Sequence, residues 1–177
     1  MRVVVGRWDE SPFGPFVDAM VETASGHRVL VAPTAEVADF VADTYSFDEI
    51  RVEPISATGW SVRSASLSFD LSTGRRTGLG RLLRLVPRAV AESTWWCALT
   101  DPVARLVLRG VRTRGTAGGG RREWYGATDV HAVAAVTATF DGADLGALAP
   151  VEPAPRFGFS STPRRPAVTD LVTTVRP

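Results

Sequence analysis

The chain has 177 residues, 45% hydrophobic and 22% charged, with a formal net charge of +1; this balance fits one folded domain with its own core and no global field for nucleic acid. All 20 basic side chains are arginine, so the chain forms no lysine Schiff base, holds no pyridoxal phosphate covalently and completes no P-loop. Cys97 stands alone and no Cys/His group has zinc spacing, so no disulfide, metal or cofactor is expected.

The opening MRVVVGRWDESPFG has three valines in a row before charges resume. That is neither a secretory leader nor a membrane span, and a cytoplasmic protein with no membrane partner is expected. RVVVGR (2–7) reads as a strand and SPFGP (11–15) as a break, since two prolines and a glycine interrupt regular structure. FVDAMVET (16–23) and HRVLVA (27–32), joined by ASG, read as a β-hairpin. PTAEVADFVADTY (33–45) predicts a helix, with Thr34 as N-cap, Glu36 in the first turn and Val37, Phe40 and Val41 on one face.

FDEIRVEPI (47–55) and WSVRSASLSFDL (60–71) read as strands; the second alternates Ala65, Leu67, Phe69 and Leu71 against Ser64, Ser66, Ser68 and Asp70. Residues 77–93 carry helical leucine spacing, and Pro87 should break or kink the helix. DPVARLVL (101–108) reads as a short helix opened by Asp101 and Pro102, with a strand as the alternative. TWWCALTDP (94–102), if extended, cannot turn both Trp95 and Trp96 inward, which leaves one to meet a ligand, a partner or a helix. Residues 121–140 read as extended, DG (141–142) as a hairpin turn, PVEPAP (150–155) as a rigid link, and RFGFSS (156–161) and TDLVTTV (169–175) as final strands.

The expected fold is therefore a single β-rich α+β domain over residues 1–177. Its curved antiparallel or mixed sheet would close into a barrel or cone, with two or three short helices.

The stretch densest in chemistry is GGGRREWYGATDVH (118–131). As a phosphate loop it lacks the lysine, and a strand follows it where a helix dipole is needed. GLGRLL (78–83) has Gly-x-Gly without the third glycine of a dinucleotide fingerprint. Taken as a strand, residues 121–131 put Arg121, Glu123, Tyr125, Asp129 and His131 on one face, with Gly126 placed to introduce a bulge. Asp129 would orient or charge the His131 imidazole. Two readings stay open: the solvated face of an amphipathic strand, or the lining of a ligand pocket. The arginines from Arg105 to Arg122, with no acid among them, suit either a solvated surface or carboxylate binding.

SPFGPFVDAMVE (11–22), DGADLG (141–146) and the proline-rich approach to RFGFSST (156–162) together resemble the acetoacetate decarboxylase-like superfamily. The resemblance implies a closed, curved β-cone around a small-molecule cavity. It does not carry over the family's Schiff-base chemistry, because the chain has no lysine. The function expected is binding of a small carboxylate or polar organic molecule by Arg112, Arg114, Arg121, Tyr125, Asp129 and Trp95. His131 or Glu123 would move the proton if a reaction occurs, and enzymatic activity stays open. Nucleic acid is not an expected partner; a homodimer is compatible. The alternative is a protein-interaction or scaffold module that uses the Arg-rich segment 105–122 and an exposed tryptophan.

Overall fold

The computed structural model describes residues 1–108, 111–116, 118–158 and 162–176. Its contacts sort the chain into two compact units: residues 1–72, 136–147 and 156–158, and residues 73–135 and 148–155 with the C-terminal segment.

The first unit begins with β1 (Arg2–Trp8), β2 (Phe16–Glu22), β3 (Arg28–Ala32), α1 (Ala35–Ala42) and β4 (Glu49–Val52). These four strands form a sheet in the order β1-β2-β3-β4, antiparallel except for β3 with β4, which the α1 crossover makes parallel. Alternation along β2 and β3 builds a core on each face. Val17, Ala19, Val21, Val29 and Val31 pack with Ile55, Val62, Leu67 and Phe140. On the other face Leu30 and Ala32 pack with Val37, Ala38 and Val41 of α1. The sheet is thus buried on both sides, as its near-continuous apolar runs require. Thr34 caps α1 as expected, its hydroxyl accepting from Val37 N at 3.3 Å. The 16–32 hairpin turns at Gly26, whose φ of 87° suits glycine.

The expected 60–71 strand is two strands. After β5 (Ser56–Thr58), β6 (Ser61–Arg63) turns back into β7 (Leu67–Arg76). The serines read as a polar face build this turn. Ser64 Oγ accepts from Leu67 N at 3.0 Å, and the Glu53 carboxylate accepts from Ser66 N at 2.9 Å and Ser66 Oγ at 2.6 Å. Such local side-chain bonds offer the backbone an alternative to the ladder.

In the second unit β7 ends and α2 (Gly78–Leu83), α3 (Arg88–Ala91) and α4 (Thr94–Val107) follow, with the break at Pro87 as expected. The 101–108 reading needs correction. Asp101 and Pro102 do not open a helix; α4 starts after Ser93 and runs through Pro102, so Trp95 and Trp96 lie on a helix. Asp101 instead holds the backbone leading into the next strand, accepting from Thr113 N at 3.0 Å.

β8 (Arg114–Thr116), a short helical turn at Gly118–Gly120, and β9 (Arg122–Phe140) form a hairpin, so the glycine run is a β-connection. Asp141 and Gly142, with φ of 50° and 76°, make the predicted tight turn into β10 (Ala143–Asp144). β11 (Ala167–Arg176) pairs with β9. Residues 156–158 are not a strand, and 159–161 lie outside the described residues. Arg156 is instead tied to Glu22, donating from N and Nε at 3.0 Å each.

The closed barrel or cone is not formed. The described residues make two open sheets, with seven strands in the second, and four helices rather than two or three. Closure requires the outermost strands of a sheet to pair with each other. In the first sheet β1 pairs only with β2, and β4 only with β3.

Candidate functional site

The residues predicted from 95 to 131 all fall in the second unit. On β9 the predicted single row is divided. The register with β11 runs Val175↔Glu123, Thr173↔Tyr125 and Leu171↔Ala127, then shifts to Asp170↔Asp129 and Val168↔His131. The extra residue is Thr128, a bulge two positions beyond Gly126, where one was anticipated. Paired residues share a face, and faces alternate along β11. Glu123 and Tyr125 therefore project from one face, and Asp129 and His131 from the other. Glu123 is buried between β8 and β11, Tyr125 is half-buried, and Arg112 and Arg121 are partly buried. Arg114 is exposed and 4.0 Å from Asp101, while Trp95 is exposed on α4 with its ring 5.9 Å from that of Trp96.

Asp129 and His131 belong to an ion-pair cluster. Arg76 Nε donates to both Asp129 oxygens at 2.9 Å, and Val130 N donates at 2.8 Å. His131 Nε2 is 3.5 Å from Asp129 Oδ2. Burial pushes the Asp129 carboxyl up, but the Arg76 and Val130 hydrogen bonds outweigh it and hold the group below its ordinary range. α2 sits on this carboxylate at Gly80, where a Cβ would meet Val130 O at 2.4 Å and Asp129 Oδ1 at 2.7 Å. With its lone pairs occupied, Asp129 acts here as a brace between α2, β7 and β9.

The first unit holds a different site, an open-mouthed concavity of about 380 Å³. The end of β1 supplies Arg7, Trp8 and Asp9, the start of β2 supplies Phe16 and Val17, and β5 with its flanks supplies Ile55, Ala57 and Gly59. Trp8 is fixed in place. Its Nε1 donates to Asp18 Oδ1 at 2.7 Å, and its ring lies 6.0 Å from Phe16. This arrangement depends on Gly6, paired with Asp18, because a Cβ there would fall 2.3 Å from Asp18 Oδ1 and 2.6 Å from Trp8 Nε1. Asp18 is buried in the strand; burial raises its pKa to about 6, against the Trp8 hydrogen bond, which lowers it. Arg7 is half-exposed, bound to Asp9 at 3.2 Å and to Gly59 O at 3.4 Å.

The sequence reading passed over Arg7, Trp8 and Asp18. Two signals point to them: a glycine inside the RVVVGRW strand, which marks a close approach, and an aspartate inside the FVDAMV run, which becomes buried once both sheet faces are covered. Among the described residues no three His, Cys, Asp or Glu side chains gather to hold a metal, and no helix is long and apolar enough to cross a membrane. No family model, no curated protein and no solved structure matches this chain.

Proposed function

We propose that the chain binds a small carboxylate, or a similarly polar organic molecule, in the concavity at the end of β1, with Arg7 as the anion contact, Val17, Ile55 and Ala57 as the apolar floor, and Trp8 and Phe16 at the rim. The observation that carries this reading is one partly exposed guanidinium, Arg7, on the same sheet face as the apolar Val17, Ile55 and Ala57, in a concavity that Trp8 and Phe16 border at its rim. A few placed polar groups in an otherwise apolar concavity is the usual composition of a small-molecule site. Arginine's planar fork suits a carboxylate. Its present partner Asp9 is a mostly exposed side chain, and an exposed ion pair contributes little, so a ligand carboxylate can replace it. The ligand class is the one expected from the chain's arginines; the location is new, and no reaction step is assigned.

The test is thermal denaturation against a panel of small carboxylates and their amides. Mass action predicts that at 100 times Kd a true ligand stabilises by about 2.7 kcal/mol. The shift should vanish in Arg7→Ala and shrink in Trp8→Leu. An equal shift in wild type and Arg7→Ala, or none for any carboxylate, counts against the site.

A further inference from the structure

α4 is an inside-out helix. Cys97, Asp101 and Ala104 form its buried side. Its exposed large apolar side chains are Trp95 (59% exposed), Leu99 (63%), Val103 (61%) and Leu106 (83%). At 100° per residue these four, with exposed Pro102, fall within about 100° of arc. A surface helix normally turns such a stripe inward. α2 and the turn after it add Leu82 and Leu85, also exposed.

The sequence segment that holds this helix is strongly one-sided in charge. Between residues 71 and 122 lie eleven of the chain's 20 arginines and two of its 19 acids, so the net charge of +1 conceals a segment of +9. Of the two acids, Asp101 is buried and Glu92 is bound to Arg88. Arg81, Arg84, Arg88 and Arg105 are exposed.

We propose that α4 is the contact helix for an anionic phospholipid surface. Its Trp95–Leu99–Val103–Leu106 stripe would enter the boundary between headgroups and acyl chains, and the neighbouring arginines would meet the lipid phosphates. A tryptophan and leucine stripe beside arginines is the composition of a helix that lies in a membrane interface, and basic residues near an anionic leaflet add attraction. A second copy of this chain fits less well, because a symmetric α4-to-α4 contact would bring the exposed Arg105 of both copies toward each other. A protein groove fits less well too, since leucine and valine are under-represented among the side chains that dominate protein interfaces. The proposal is independent of the carboxylate site, which lies in the other unit.

The experiment is co-sedimentation of the full chain with vesicles of phosphatidylcholine alone and with phosphatidylglycerol at about one-third of the lipid. Wild type should bind the anionic vesicles and leave the neutral ones, and binding should fall as salt is raised. Leu99→Glu/Leu106→Glu should weaken binding by about ten-fold or more. Both side chains face solvent, so the variant should melt near wild type, and Arg88→Glu/Arg105→Glu provides a second, purely electrostatic variant with the same direction of effect. Val52→Glu, an exposed site in the first unit, should bind as wild type does. The proposal is overturned if wild type ignores anionic vesicles, or if both double variants bind undiminished. It is equally overturned if wild type is a dimer that ignores lipid and the leucine variant is a monomer, or if an acidic protein, and no lipid, occupies the face.

Discussion

Asp18 bears on the candidate site because it fixes the Trp8 indole at the rim. Its carboxyl is buried and titrates at about pH 6 in the folded chain, against 3.8 for the ordinary group. The folded state therefore holds a proton that the unfolded chain releases between those two values. Stability from this group is complete below the unfolded pKa and lost as pH rises through about 6, a loss of about 3 kcal/mol. Asp18→Asn keeps an oxygen for Trp8 Nε1 and removes the ionisation. Chemical denaturation across pH 3.5 to about 8 should show wild type losing stability relative to Asp18→Asn over that window; parallel profiles would refute a buried, titrating Asp18. Asp129 has the opposite sign. Its pKa is held low, so its stabilisation is present above the ordinary carboxylate range and disappears as pH falls through the folded value. Arg76→Ala should lower the denaturant midpoint, since it leaves the Asp129 carboxylate short of its main partner while part of that pair still faces water. A denaturant midpoint that does not move would show that the pair is idle.

Among the elements, β2, β3 and α1 were plain in the sequence because their signals are local: an apolar run, a glycine turn, a Thr cap and an i, i+3, i+4 stripe. The 60–71 and 101–108 segments were misread for one shared reason. Ser64, Ser66 and Asp101 make hydrogen bonds to backbone groups that lie outside the period used to read them, so a turn looked like a polar face and a helix interior looked like a cap. The bulge at Thr128 left no composition signal at all; it appears only in the pairing with β11. One glycine tests how the helices seat on β9. A Cβ at Gly126 would lie 2.6 Å from Ala91 O and 2.8 Å from Glu92 Cα, both backbone atoms that cannot swing aside. Gly126→Ala should therefore destabilise by about 1–3 kcal/mol, as overpacking does, read as a lowered Tm; an unchanged Tm would mean that α3 does not rest on this strand. In the first unit Leu30→Ala, at a fully buried position, should cost about 2–5 kcal/mol.

For the molecule as a whole, the sequence makes one chemical exclusion legible and leaves the location of a site unread. The absence of lysine excludes a lysine imine in this chain whatever the fold. The proposed site lies at Arg7 near the N-terminus, away from the polar row on β9, which is split by its bulge and partly spent on a brace. Closure of a sheet depends on which edges meet, and no residue pattern within a strand encodes that. The most direct measurement of the central claim is a titration of the labelled protein with a stabilising carboxylate, followed by nitrogen–proton correlation spectra. The chain has five tryptophans and hence five indole N–H signals. The binding site proposed here predicts that the Trp8 indole, the Arg7 guanidinium and the Gly59 amide move together and saturate with one affinity. Movement confined to the signals of residues 121–131, with Trp8 unmoved, would contradict it.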